Sequence, residues 1–347
     1  MKITSFALTL DIIIRFDRAK ARPAFTPSST PTPLSNEDVP ISAIAPSSAS
    51  GLNLTSMTKE ELIKKFISVD GNVEFGNITA SPHYENCTRY FTGGYSMGYA
   101  YENDNTTTLS DDHLLPEEGI ILSSGNPIDF ESNDSNGQTT QWDYTLGLDL
   151  SDADLAKVVN SSGGTFDACY IEFDFKCFDE GSIPIVSFKY MFGSDEYSEY
   201  VPDGYNDVFA LILNGENIAR LPSSESTTDV VSIHNVNYEL NRQYFHVNDP
   251  YYTSHEPSDG FIYPQLEADG FTVIMTAIGT PSQDPNKMNK IKIVVGDVGD
   301  SEYDSWVLLE SGTFTCNGGS ERLSPGPSYS KSGKSSGYSK SSKAKAN

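Results

Sequence analysis

No run of 18 apolar residues occurs in the chain, so no segment of it is built to cross a membrane as a helix. Closely paired cysteines are missing too. Cys87, Cys169, Cys177 and Cys316 are the only four, and none stands in a CxxC spacing, which removes the usual zinc-ribbon and zinc-finger frameworks. Basic residues are scarce over most of the length: 23 Lys or Arg stand against 48 Asp or Glu, a formal charge of -25. Residues 317–347 hold five Lys and one Arg against one Glu, which makes that stretch +5 and the rest of the chain -30. The acidic body repels phosphate backbones and anionic lipid, so nucleic acid is excluded as a partner, and it attracts divalent cations. Parts of opposite sign point to separate jobs.

At 347 residues the chain buries an ample core without a staple. The four cysteines are therefore expected as disulfides of an oxidising compartment rather than as a requirement of size. Cys169 and Cys177 flank the alternating run Tyr170 to Lys176. Eight residues of strand span about 26 Å, whereas a disulfide tolerates Cα separations below about 7 Å, so these two should not pair with each other. That leaves Cys87 with either of them and Cys316 with the other. Six glycosylation sequons, at Asn53, Asn77, Asn86, Asn105, Asn133 and Asn160, agree with secretion. Ile3 to Phe16 is apolar enough for a signal h-region, though interrupted by Asp11 and Arg15, and precedes Ala19-Lys20-Ala21, so residues 1–22 read as a signal or leader segment. Residues 23–51, rich in Pro, Ser and Thr, read as a disordered linker.

Thr58 and Glu61 form a capping box ahead of Leu62, Ile63, Phe66 and Ile67, one apolar helical face. A second helix is expected at Ser151 to Val159 with Ser151 as its cap. The period then changes to two. Ile171, Phe173 and Phe175 alternate with Glu172, Asp174 and Lys176; Val186, Phe188, Tyr190 and Phe192 alternate likewise, as do Ile291, Ile293 and Val295. Val208 to Leu213 and Phe271 to Ile278 are near-continuous apolar runs, and Trp306 to Phe314 closes the set. Short strands between Gly, Asp, Asn and Pro turns predict a mainly β domain over residues 52–316, an antiparallel β-sandwich or jelly-roll-like fold with one or two short peripheral helices.

Gly94-Tyr95-Ser96-Met97-Gly98 matches a nucleophile elbow in letters, but the polar, turn-rich stretch after it cannot supply the helix that an elbow needs. Two acidic loops carry more chemistry. One holds Asp195, Glu196 and Glu199 and leads to Asn206 and Asp207; the other holds Asp297, Asp300, Glu302 and Asp304. Carboxylate and amide oxygens at strand ends suit Ca2+, which takes six to eight oxygens in loose geometry. Asp300, Glu302 and Asp304 have the one-three-five spacing of an EF-hand loop, yet Ser305 and Ser311 stand where its Gly and Glu belong, so it is not an EF-hand. The same carboxylates suit an alternative, glycoside hydrolysis by an acid pair. Tyr197, Tyr200, Tyr205, Tyr251, Tyr252 and Tyr303 among the acids suit stacking on a sugar.

Five ordered stretches carry a family resemblance: Gly119-Ile-Ile-Leu-Ser-Ser-Gly-Asn126, Phe192-Gly-Ser-Asp-Glu-Tyr-Ser-Glu-Tyr200, Gly204-Tyr-Asn-Asp-Val-Phe209, Asp269-Gly-Phe-Thr272 and Asp297-Val-Gly-Asp-Ser-Glu-Tyr-Asp-Ser305. Together they resemble the choice-of-anchor L domain of bacterial surface proteins, from about Leu52 to Phe314. The resemblance implies an extracellular, cell-surface or cell-wall location and a β-rich fold, not a reaction. Where such relatives carry an anchor, residues 317–347 instead offer Lys331, Lys334, Lys340, Lys343 and Lys345 among Ser, Gly and Tyr. This resembles the Lys/Ser clusters of silaffins, and a flexible polycation binds polyanionic surfaces by multivalent charge. The combined expectation is a non-catalytic adhesion or matrix domain holding Ca2+, with extracellular polysaccharide, cell wall or silica as partner and the basic tail as its attachment.

Overall fold

The computed structural model describes residues 52–69, 72–93, 99–103, 106–110, 115–131, 139–160, 164–178, 184–198, 200–201, 204–221, 230–248, 266–282, 284 and 287–318. The leader, the linker, the Gly94 to Gly98 motif, Glu199, Asn105, Asn133, Tyr251, Tyr252 and the tail lysines lie outside the described residues.

The expected antiparallel β architecture is present as two large sheets. The first contains β1 (Asn53–Thr55), β3 (Thr88–Thr92), β6 (Glu118–Ser123), β16 (Ser305–Glu310), β8 (Pro184–Ser194), β13 (Gly270–Thr272) and β12 (Phe245–Val247) in that order, with β14 (Met275–Gly279) and β17 (Thr315–Gly318) also on β8. The second runs β10 (Glu216–Asn217), β9 (Val208–Leu213), β15 (Asn289–Asp297), β7 (Phe166–Cys177) and β2 (Val73–Ala80), with β11 (Val231–Ser232) on β9. A separate hairpin joins β4 (Tyr99–Asn103) to β5 (Thr106–Ser110). Among the described residues there are four short α-helices rather than one or two: α1 (Lys59–Phe66), α2 (Tyr84–Cys87), α3 (Trp142–Leu146) and α4 (Ala153–Val159).

The period-two pattern puts alternate residues of each central strand inside. Ile171, Phe173 and Phe175 of β7 and Ile291, Ile293 and Val295 of β15 face Val186, Phe188, Tyr190 and Phe192 of β8 and Val307 and Leu309 of β16 in one shared core. At one end of it Phe314 sits among Phe66, Phe173, Phe175 and Phe188, with ring centroids 5.3 to 5.6 Å from its own. Near-continuous apolar runs occur because both outer faces are also covered. Ala210 and Ile212 of β9 pack outward with Leu155 of α4, and Trp306 and Leu308 of β16 pack outward with Phe130 and Leu115. A strand buried on both faces has no polar alternation to show.

Two local expectations change. The Phe271 to Ile278 run is two strands, because β13 pairs with the Gly193–Ser194 end of β8 and β14 with its Val186–Tyr190 part. The cap of α4 is Asp152, whose Oδ1 accepts from the amides of Asp154 and Leu155 at 3.0 Å each; the Ser151 hydroxyl donates to Asp149 instead. The Thr58 and Glu61 capping box of α1 forms as expected.

Cys87 pairs with Cys169, and Cys177 pairs with Cys316. Cys169 and Cys177 share the inward parity of Ile171, Phe173 and Phe175, so β7 is bonded across the core at both ends, through Cys169 to the last residue of α2, directly before β3, and through Cys177 to β17.

Candidate functional site

The inward parity of the second sheet ends, on three neighbouring strands, in aspartate. Asp207 precedes Phe209 and Leu211 of β9, Asp297 follows Ile293 and Val295 of β15, and Asp167 precedes Cys169 and Ile171 of β7; all three are buried. The inward parity of the first sheet ends at the same edge in Ser124 after β6, Ser305 of β16 and Ser194 of β8, each fully buried. Three aspartates thus face three serines where the apolar core stops. A bulge shapes the aspartate row: between the Val295–Cys169 and Asp297–Phe166 pairs, β7 carries one residue more than β15. Asp167 lies in that bulge with a left-handed φ of 46°, the kind of strand irregularity that re-aims a side chain at a functional edge.

The two acidic loops converge here. The Asp195 amide donates to the Asp304 carbonyl at 3.1 Å and the Asn206 amide to the Val298 carbonyl at 3.1 Å. Asp207 Oδ1 accepts from the Val298 amide at 3.0 Å, and its Oδ2 accepts from the Ser305 hydroxyl at 2.6 Å. Asp304 lies on the outward parity of β16. Its Oδ1 accepts from the Thr140 amide at 2.9 Å, and its carboxylate lies so close to Gly125 that a Cβ there would fall 1.6 Å from Oδ2.

Satisfaction of these acids is uneven. Both oxygens of Asp297, Oδ2 of Asp304 and Oδ2 of Asp167 are buried without a hydrogen-bond partner of good geometry, although Ser124 and Asp207 lie close enough to Asp297 for hydrogen bonding to influence how these carboxyls titrate. None of the ion pairs among the described residues involves Asp167, Asp207, Asp297 or Asp304. Burial without a neutralising cation therefore favours the protonated form of each. Burial pushes Asp207 up to about 7, against the donors Ser305 and Val298. Burial and the neighbouring Asp207 and Asp304 raise Asp297 well above the carboxylate range. Asp304 is likewise raised by burial, opposed by the Thr140 amide, and burial pushes Asp167 up to about 7.

The other predicted site residues are distributed differently. Asp195 and Glu196 are buried beside the layer, Asn206 and Asp300 are half-buried, and Glu302 is exposed with its amide on Asp300 Oδ1 at 3.1 Å. Among the described residues no three His, Cys, Asp or Glu side chains are arranged around one point as a metal ion requires. Tyr200, Tyr205 and Tyr303 form a half-buried cluster at the loop tips, with Tyr200 5.8 Å from Tyr205 and 4.9 Å from Tyr303. Tyr197 is fully buried, donating to the Val236 carbonyl at 2.6 Å, and offers no face to a sugar. Asn53, Asn77 and Asn160 are exposed and Asn86 is half-buried.

Asp167, Asp143 and Ser124 were not singled out from the sequence. The signal was present for two of them, since carrying the period of two beyond Cys169 and Leu122 lands on Asp167 and Ser124. Asp143 had no such signal: it sits in the short helix α3 and is brought in by a tertiary contact, its Oδ2 accepting from the Asp167 amide at 2.9 Å.

Fold and site together define an antiparallel β-sandwich cross-linked by two disulfides and closed at one end by a carboxylate layer. The choice-of-anchor L domain model matches residues 50–315, and the chain belongs to that family, one of surface-associated, bacterial-type proteins. No curated protein and no solved structure matches it.

Proposed function

We propose that the chain is an extracellular adhesion or matrix module of the cell surface or cell wall. In this reading it holds Ca2+ at the converged acidic loops and meets polysaccharide at Tyr200, Tyr205 and Tyr303. The single observation behind the cation is the orphaned Asp297 carboxylate, 1% exposed, within a group of acids that no cation neutralises. A buried carboxylate without partners costs several kcal/mol, which a hard divalent ion bound by oxygen would offset. Asp195, Glu196, Asp207, Asp297 and Asp304 would be its ligands; among the described residues no three of them surround one point, so binding requires their side chains to turn. Composition alone supports the tail as attachment: five lysines in a +5 segment suit a silica or anionic wall surface.

Calorimetry on the chelator-treated full chain tests the cation. Saturable Ca2+ binding that Asp297→Asn with Asp304→Asn weakens at least about tenfold is expected; no heat, or an unchanged affinity in the double variant, refutes the calcium reading. Silica or wall retention should fall when residues 319–347 are deleted, and equal retention removes the tail from the account. A glycan hydrolase would need an acid pair that a sugar can reach. Asp207, Asp297 and Asp304 are at most 1% exposed, so the expected behaviour toward glycans is retention without turnover.

A further inference from the structure

A strand paired on one side only shows a row of unpaired backbone amides and carbonyls, a template on which another chain can add. Among the described residues most such strands of the two sheets are short: β1 and β12 have three residues, β10 and β11 two, β17 four and β14 five. Strand β2 is the exception. Its eight residues close one side of the second sheet and pair only with β7. That edge, about 26 Å long, carries Val73, Phe75, Ile78 and Thr79, with no Lys or Pro to deter an incoming strand.

The middle of the edge is interrupted. Phe75 pairs with Phe175 and Ile78 with Phe173, so Gly76 and Asn77 together stand opposite the single residue Asp174 in a bulge. Gly76 faces outward, where a Cβ would lie 3.3 Å from Met288 Cε. Asn77 beside it is exposed and begins the sequon Asn77-Ile78-Thr79. A strand turns residues i and i+2 to the same face, so the acceptor amide and the sequon hydroxyl share the solvent side while Ile78 packs on the core. The Thr79 hydroxyl donates to Glu172 Oε1 at 3.3 Å, an exposed contact. The first sheet repeats the arrangement at its outermost strand, β1, where Asn53 and Thr55 are exposed and Leu54 is half-buried. The Asn86 sequon is built differently: its Thr88 is 3% exposed, with Oγ1 3.4 Å from Cys169 Sγ.

We infer that Asn77 is an N-glycosylation site whose glycan shields the free edge of β2 from a strand of a second copy, and that Asn53 serves β1 in the same way. The donor is a lipid-diphosphate-linked oligosaccharide of the secretory pathway. Asn77 Nδ2 forms a bond to C1 of the first sugar as the C1–O bond to the diphosphate breaks; the lipid diphosphate leaves and Nδ2 gives up one proton, with no change of oxidation state. An added strand would lie about 4.8 Å from β2, within reach of a bulky, solvated sugar rooted at the bulge. The site needs a secreted chain and is independent of bound cation.

The test uses the full chain secreted by eukaryotic cells that N-glycosylate. Peptide mapping with and without enzymatic glycan release should find a glycan on Asn77. Asn77→Gln and Thr79→Ala should each lose that glycan and shift toward dimers and larger species in sedimentation velocity, whereas Thr79→Ser, which keeps the sequon, should behave as wild type. Enzymatic removal of glycans from the folded wild type should give the same shift without any substitution. Ser162→Ala is the control: it removes the sequon of Asn160, which caps the C-terminus of α4 rather than lying on a strand, and should leave sedimentation unchanged. An unmodified Asn77 would overturn the site. A modified Asn77 whose glycan can be lost without self-association would overturn the shield, as would association in Asn77→Gln that Thr79→Ala and the deglycosylated wild type do not share.

Discussion

Replacing Asp207 by Asn removes one titrating proton from the aspartate layer and changes little in its shape. The amide oxygen keeps the Val298 N–H, and the amide nitrogen can donate to Ser305, which now accepts. In the folded chain the Asp207 carboxyl is pushed up to about 7 from an ordinary 3.8. Between those values the folded state holds a proton that the unfolded state has lost, so the stability this provides is complete below pH 3.8 and disappears as pH rises through 7. At 1.36 kcal/mol per pH unit the gap is worth about 4 kcal/mol, of which roughly 3 kcal/mol falls between pH 5 and pH 8. Asp167, Asp297 and Asp304 slope the same way, whereas His83, pushed down to about 4 by its burial, slopes the opposite way as pH falls from 6.5. The difference between wild type and Asp207→Asn cancels most of these shared terms. Urea unfolding with chelator present, disulfides intact and m-values compared, should show the variant losing about 3 kcal/mol less than wild type between pH 5 and pH 8. Equal losses in the two proteins would refute the assignment of a buried, proton-holding Asp207.

Opening the Cys177–Cys316 bond by a Cys177→Ala and Cys316→Ala pair frees a loop of sequence separation 139 and should cost about 3–5 kcal/mol in denaturant; a loss below 1 kcal/mol would mean that the unfolded chain is not constrained by it. Phe314→Ala empties the centre of the ring cluster formed with Phe66, Phe173, Phe175 and Phe188 and should cost about 3–5 kcal/mol, read as a lower urea midpoint at unchanged m. Gly125→Ala places a methyl 1.6 Å from Asp304 Oδ2. It should therefore destabilise by about 1–3 kcal/mol and make Trp142 more quenchable, because the carboxylate that accepts from Thr140 has to move; unchanged Trp142 quenching in the Gly125→Ala variant would count against the contact.

Much of the architecture was legible because burial imposes a period. The alternation from Tyr170 to Lys176, and again from Val186 to Phe192, placed two central strands and their inner faces. The full burial of Val208 to Leu213 showed as an unbroken apolar run. The split at Val273 and Ile274 was not legible, since nothing local distinguishes one long strand from two that pair with different parts of β8. The cap at Asp152 was misplaced by one residue because Ser151 and Asp152 are both good caps, and the choice between them rests on tertiary contacts, among them the Thr165 hydroxyl that receives the Asp152 amide at 2.7 Å.

By itself the sequence determined the β class, the opposite charges of body and tail, the strand faces and the rule that Cys169 and Cys177 cannot pair together, all consequences of composition and of a period of two. Tertiary structure alone decided which cysteines meet, that two acidic loops some hundred residues apart close on one another, and that Asp167 and Asp143 join them. Sequence spacing carries the direction of a side chain along its own strand. It carries nothing about which strand stands opposite, and a carboxylate becomes buried and raised in its titration only through what stands opposite.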